Sequence, residues 1–430
     1  MIIANGKLYD TSMQNTILEN LGSEICKTLA QKTLSAETVV NAVDALNTKL
    51  KHGNFNKLID SLPIDGVQRY KEMAIKMLSR ENIEFKLKTE LGSDFKADYI
   101  THPPSGLTKL RVSAKPLGVL LHIAAGNIDG LPAFSLVEGL LTGNINILKL
   151  PQADNGLTIT IIEELIKAAP ELADFIYVFD TPSTDILAVK KMAELSDGIV
   201  VWGGDAAVAA ARRFASPGTK LIEWGHKLSF AYISGYRDKK KDLEVLAEHI
   251  IMTKQLLCSS CQVIYIDSDS MEEVYAFCRE FLPVLENTAE KHRSNTIDSQ
   301  AEITLRKYAD KLETILNGDT KQNDFRSTLC ALVPCEDSEL ELSEMFGSCL
   351  VKRLPKADIL KTLRRKKNYL QTAGLICSDE KRKELADILT KSGIVRITDG
   401  ADMSMTFSGE AHDGEYPLRR YMRIVNEEII

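Results

Sequence analysis

The stretch TKQLLCSSCQVIYID, Thr253 to Asp267, places two cysteines three residues apart, Cys258 and Cys261, between an apolar helical pattern and a strand-like run. Such a pair can hold a metal, work as a redox dithiol, supply a nucleophile, or simply pack. A structural zinc site commonly needs four Cys or His ligands, often two such pairs; here there is one pair, and the seven histidines are scattered. A thioredoxin-like dithiol opens a helix, whose N-terminal dipole lowers the thiol pKa, whereas here a strand follows. Small polar residues, Ser259 and Ser260, follow Cys258 and suit a thiol offered to a substrate. A thiol of ordinary pKa, about 8.5, is a few per cent thiolate at pH 7 and already attacks carbonyl carbon. The bland alternative is that both thiols are buried in a core. Carbonyl chemistry at a thiol further requires an oxyanion donor, and its redox form requires a hydride carrier and a wall against water.

The elements that must position Cys258 are legible as alternating patterns. Residues 13 to about 95 carry helical periodicity, as in EFKLKTELGSDF, where Phe85, Leu87 and Leu91 mark an apolar stripe ending at Gly92. From Lys115, short apolar runs alternate with amphipathic segments. The runs are LGVLLHIA, INILKL, FIYVFD, GIVVWG and TKLIEW. Strands buried on both faces and joined by crossover helices describe a doubly wound parallel sheet. A second series follows: FAYISG, a long helix ending near Leu257, QVIYID, helices from Met271 and Asp298, then TLCALVPC, SCLVKRL, AGLICS and IVRIT. Cys258 falls on the loop between that long helix and the strand after it. The expected organisation is N-terminal helices plus a dinucleotide-binding domain over 1–228, a catalytic domain over 229–408, and a C-terminal segment, 409–430, returning to the interface or the cofactor domain.

Composition excludes several classes. A chain of 430 residues, 44% apolar and 26% charged, can build two or three domains. A net charge of −7 speaks against nucleic acid as a partner. The basic runs RDKKKD and RRKK are short, lack aromatics, and read as solvated turns or helix faces. The longest apolar stretch, Pro116 to Asn144, is broken by Gly, Asn, Asp and Pro before the roughly 20 residues that span a membrane. With no secretory leader pattern at the start, a cytoplasmic protein with its eight cysteines as thiols is expected.

Six motifs, in order, then carry a resemblance: PLGVLLHIAAGNIDGLP, GNINILKLP, DGIVVWGGDAAVAAA, LIEWGHKLSFAYI, QLLCSSCQ and SEMFGSCLV. They resemble the aldehyde dehydrogenase superfamily and, within it, the acyl-CoA reductase branch typified by the LuxC fatty acid reductases. The likeness runs from Lys115 to Asn426. It implies an α/β fold of two Rossmann-like lobes, one for cofactor and one catalytic, behind a helical N-terminal lead-in. It implies Cys258, not Cys261, as nucleophile, Asn127 as the oxyanion-hole amide, and Glu223 at the general-base position. For the cofactor it implies Lys149 at the adenosine ribose, Gly203 and Gly204 at the pyrophosphate turn, and Glu344 with Phe346 at the nicotinamide ribose. The implied activity is NAD(P)H-dependent reduction of an acyl-CoA to the aldehyde through an acyl-cysteine. The alternatives are an aldehyde dehydrogenase producing a carboxylate and an acyltransferase or thioesterase using the same cysteine. NADPH is the expected cofactor with NADH admissible, CoA enters with the substrate, no metal is expected, and the superfamily implies a homodimer or homotetramer.

Three departures bear on these expectations. Asp205 stands where many relatives have Ser, so its carboxylate must point away from a pyrophosphate or cap the helix. Gln152 is neutral where NAD-preferring relatives often place an acid. The ending SGEAHDGEYPLRRYMRIVNEE is of the luminescence type, with His412 as a weak site candidate.

Overall fold

The computed structural model describes residues 1–62, 67–92, 98–104, 109–124, 130–151, 156–293 and 325–429. Contacts divide the chain into two compact units, Met1–Gly225 with Phe407–Ile430, and His226–Thr406.

The first unit begins with a hairpin that sequence patterning did not indicate, β1 (Ile2–Ala4) and β2 (Lys7–Tyr9). Helices Gln14–Gln31, Ala36–Lys51 and Arg80–Leu91 follow, with shorter ones between them. In the last of these the buried stripe is Ile83, Leu87 and Leu91, spaced by four. Phe85, expected on that stripe, is exposed, because two residues from Leu87 is the opposite side of a helix. Next come β3 (Tyr99–Thr101), β4 (Lys109–Pro116), β5 (Val119–Ile123), β6 (Ile145–Lys149), β7 (Ile176–Phe179), β8 (Gly198–Trp202) and β9 (Lys220–Trp224). The main sheet has the order β2-β1-β7-β6-β5-β8-β9, with β5 to β9 parallel and β1 antiparallel to β7. The chain winds one way from β5 to β7 and then restarts at β8 on the other side of β5, which creates a switch point at the carboxyl ends of β5 and β8. Every residue of β6 and β7 is buried, as expected of strands covered on both faces.

The second unit holds β10 (Leu228–Ser234), β11 (Cys261–Ile266), β12 (Phe325–Arg326), β13 (Ala331–Cys335), β14 (Ser348–Arg353), β15 (Leu370–Cys377) and β16 (Arg396–Asp399). Their order is β12-β13-β14-β11-β10-β15-β16, parallel except at β12–β13. Helices Lys239–Thr253 and Met271–Lys291 cover one face through Leu246, Ile250, Phe277 and Phe281. Helix Asp379–Ser392 covers the other through Leu385 and Leu389. The helix expected to reach Leu257 stops at Thr253, because Lys254 (φ 48) and Gln255 (φ 59) turn left-handed. The helix expected from Asp298 lies outside the described residues.

The last strand, β17 (Met422–Ile429), returns to the first unit and pairs along its whole length with β4, giving a three-stranded antiparallel sheet β17-β4-β3. Among the described residues, no helix is long and apolar enough to cross a membrane.

Candidate functional site

In the second unit, Cys258 is exposed and Cys261, the first residue of β11, is fully buried. One turn of loop thus separates a presented thiol from a packed one. The Cys261 N–H donates to His249 Nε2 at 3.1 Å and its thiol lies 3.4 Å from the carbonyl of Val263. The Cys258 carbonyl accepts from Ser229 Oγ at 2.7 Å, and Ser229 Oγ accepts from the Thr372 N–H at 3.1 Å. Ser229 can reach both because β10 slips in register against both neighbours beside it, a local irregularity of the kind that re-aims side chains next to sites. Among the other thiols, burial pushes Cys278 up to about 12 and Cys349 well above the ordinary range, so they stay protonated. None of the eight cysteines is in a disulfide. Among the described residues no group of three His, Cys, Asp or Glu could hold a metal.

The thiol loop is bonded to a second loop, the turn Ser343–Ser348. The Phe346 N–H donates to the Lys254 carbonyl at 3.1 Å, and the Gly347 N–H to Gln255 Oε1 at 3.1 Å. Met345, Phe346 and Gly347 are all left-handed (φ 61, 48 and 86), a tight turn that leaves Glu344 exposed and Phe346 half-buried. The structure therefore brings Cys258, Glu344 and Phe346 onto two joined loops at the amino ends of β11 and β14.

The candidates of the first unit gather at the carboxyl ends of its strands. Lys149 ends β6, is 5% exposed, and donates to the Leu150 carbonyl at 3.2 Å. Burial lowers its pKa, opposed by the charge of nearby Asp180. Gly203 and Gly204 join β8 to the ten-residue helix Asp205–Phe214, with Gly204 as its N-cap. Among the described residues, a Cβ on Gly204 would meet nothing within 4 Å, and at this helix N-terminus backbone N–H groups and the helix dipole favour an anion. Asp205 is the first residue of the helix.

Glu223, on β9, holds both oxygens against one guanidinium, Arg212 Nε at 2.6 Å and Nη2 at 2.7 Å. His412 packs with Trp202 and Trp224, ring centroids 5.1 and 5.0 Å away, which docks the C-terminal segment on the ends of β8 and β9. Asn127 and Gln152 lie outside the described residues.

Sequence reasoning missed Gln255, Gln262 and Ser343, which are 1%, 3% and 6% exposed and join the two loops. Their signal was two glutamines flanking the cysteine pair at an otherwise apolar helix–strand junction.

The sequence model of the acyl-CoA reductase (LuxC) family matches residues 31–424. Among curated relatives, a long-chain acyl-protein thioester reductase of Aliivibrio fischeri is 25% identical over 74% of this chain, and that of Vibrio harveyi 23% identical over 83%. These alignments span 65% and 73% of the relatives' own lengths. Among solved structures, betaine aldehyde dehydrogenase of Staphylococcus aureus, in complex with NAD+, superposes with a TM-score of 0.71 at 15% identity, over 97% of this chain and 87% of that one. An NAD-dependent benzaldehyde dehydrogenase of Corynebacterium glutamicum gives 0.65 at 12% identity, over 99% and 91%. At such identities the structural likeness concerns the fold, which is that of the aldehyde dehydrogenases.

Proposed function

Because the chain belongs to the acyl-CoA reductase (LuxC) family, we propose that it reduces acyl thioesters to aldehydes through Cys258, with a nicotinamide cofactor. The observation that carries this reading is the pairing of an exposed thiol with the Glu344–Phe346 turn on two hydrogen-bonded loops. The Cys258 thiolate attacks the thioester carbonyl, a C–S bond forms to the enzyme, and the C–S bond to the carrier breaks. CoA, or a carrier-protein thiol, departs as thiolate and takes a proton from solvent. The amide of Asn127 and the N–H of Cys258 are assigned to the oxyanion. The cofactor, when bound, supplies the hydride that reduces the acyl carbon. The resulting thiohemiacetal oxyanion collapses, the bond to Cys258 breaks, and the aldehyde leaves.

The cofactor assignments rest on the cradle at Gly204 and the cation at Lys149, with Gly203 completing the turn and Glu344 and Phe346 holding the nicotinamide ribose. NADPH is proposed because Lys149 offers a cation to a 2′-phosphate and the sequence carries a neutral Gln152 where NAD-preferring relatives often place an acid; NADH is the alternative, and the Asp180 carboxylate near Lys149 favours it. Thioester reduction needs no activated water, so Glu223 is placed as a base in the hydrolytic direction alone. The substrate is an acyl-CoA or an acyl group on a protein thiol, the latter being what the relatives' names state. A homo-oligomer is proposed from the three-stranded sheet, since all six central residues of β17 are exposed and isolated sheets of this size need a covered apolar face.

Incubation with a panel of acyl-CoAs and acyl-carrier proteins without cofactor, followed by intact mass and peptide mapping, tests the nucleophile. The acyl group is expected on Cys258 and absent from Cys258→Ala; adding NADPH or NADH should release aldehyde. Strong oxidation of hexanal by NAD+ with no thioester reduction would make the protein an ordinary aldehyde dehydrogenase. An acyl group lost only to water or to another acceptor would make it a thioesterase or acyltransferase.

A further inference from the structure

The bonded pairs Gln255–Ser343 and Gln262–Ser343 are 88 and 81 residues apart in sequence, yet a closed set of buried hydrogen bonds makes the thiol loop and the Glu344 turn one piece. Ser343 Oγ has a single proton. It donates to Gln262 Oε1 at 2.9 Å, and therefore accepts from Gln255 Nε2 at 2.9 Å and from the Met345 N–H at 3.1 Å. Gln255 Nε2 gives its other proton to the Cys261 carbonyl at 3.0 Å, while Gln255 Oε1 accepts from the Gly347 N–H at 3.1 Å. Gln262 Nε2 donates to the Gln255 carbonyl at 2.8 Å, and Gln262 Oε1 accepts a second bond, from the Ser343 N–H at 3.2 Å. Reversing the Gln255 amide would set its NH2 against the Gly347 N–H. Reversing Gln262 would set NH2 against the Ser343 N–H. Each amide therefore has one orientation.

This set clamps backbone that L residues adopt reluctantly. Lys254, Gln255, Met345 and Phe346 are all left-handed and none is glycine, and such residues persist where their surroundings over-determine them. A structural role alone would be met by apolar packing, which avoids the cost of burying five polar side-chain atoms. What hydrogen bonds add is a fixed spacing and angle between the loops.

Resting on the function proposed above, we infer that Gln255, Gln262 and Ser343 are positioning residues for hydride transfer. They touch neither substrate nor cofactor. They hold the loop carrying acylated Cys258 in register with the turn whose Glu344 and Phe346 hold the nicotinamide side of the cofactor. Acylation needs only the thiol, its oxyanion donors and a thioester. Reduction in addition needs the acyl carbon and the hydride donor held together, where a displacement of about 1 Å costs roughly 10²-fold.

Ser343→Ala is the decisive variant, because it removes the shared hydroxyl without touching the thiol loop; Ser343→Thr restores a hydroxyl, and Gln255→Glu keeps the acceptor for Gly347 while losing both donors. Acylation by myristoyl-CoA is timed by intact mass without cofactor, and the isolated acyl-enzyme is then mixed with NADPH or NADH and its aldehyde measured. Ser343→Ala is expected to acylate within a few-fold of the wild type and to reduce about 10²-fold more slowly, with Ser343→Thr recovering most of the loss. Hydrogen exchange in Ser343→Ala should accelerate together in peptides 254–262 and 342–348. Equal loss in both steps, loss confined to acylation, unchanged reduction, or acceleration in one loop alone would overturn the inference. If the wild type takes no acyl group from any thioester, the reading of function falls, and the hydrogen-exchange comparison still decides whether the two loops are one unit.

Discussion

Glu223 keeps both carboxylate oxygens on Arg212, one bond to each, so the ion pair fixes the carboxylate while a lone pair on each oxygen stays able to take a proton from water. Glu223→Gln is accordingly expected to leave thioester reduction within a few-fold while lowering any hydrolytic aldehyde oxidation by about 10²- to 10⁴-fold, measured on the same preparation in both directions. A second residue-scale expectation concerns His122 on β5, fully buried between Ser135 Oγ at 2.8 Å and Asn146 Oδ1 at 2.9 Å. Burial pushes its pKa down to about 4, whereas the unfolded imidazole titrates near 6.5. The unfolded chain therefore binds the proton first as pH falls. The stabilisation is complete above about pH 6.5, declines between 6.5 and 4, and is level below, a change of about 3 kcal/mol in all. Urea midpoints at pH 7.5 and 4.5 should converge less steeply for the wild type than for His122→Gln only if this assignment is wrong; the variant is expected to show the smaller pH dependence.

At the scale of elements, Gly204 separates folding from binding. A methyl group there meets nothing within 4 Å among the described residues but occupies the approach to the helix N-terminus that a pyrophosphate would use. Gly204→Ala is expected to keep the wild-type melting temperature and to weaken NADPH or NADH binding roughly tenfold, about 1.4 kcal/mol, by fluorescence titration; a lowered melting temperature with intact binding would remove Gly204 from the cofactor cradle. The elements that bear these residues were mostly readable because strands covered on both faces appear as mainly apolar runs, as INILK and CQVIYI do. The hairpin Ile2–Tyr9 and the strand Met422–Ile429 were not readable. The hairpin strands are three residues each, and β17, exposed along its middle, shows no alternation between buried and solvated positions. The end of helix Lys239–Thr253 was misplaced because what stops it is not a local breaker: Gln255 is captured by Ser343 and Gly347, contacts that no window of sequence contains. For the same reason Cys258 could be singled out over Cys261 by resemblance, while the clamp around them could not.

At the scale of the whole molecule, the three-stranded sheet is the surface proposed above for self-association. Tyr99, Ile100, Ile424 and Val425 are exposed on β3 and β17, and β17 is also an open edge that a second copy could extend. Ile424→Asp together with Val425→Asp should lower the mass measured by light scattering to that of one chain, while Cys258 still takes an acyl group; an unchanged mass would move the self-association surface elsewhere. The two larger sheets also differ in polarity. The first keeps its candidate residues where strands finish, whereas the second presents Cys258 and the Glu344 turn where strands begin. The opposite rim of that second sheet, at Asp267 to Ser270 beyond β11, is thus one strand length, about 20 Å, from the thiol. A dye or affinity handle inserted there would report on the protein from the rim of this sheet farthest from the thiol.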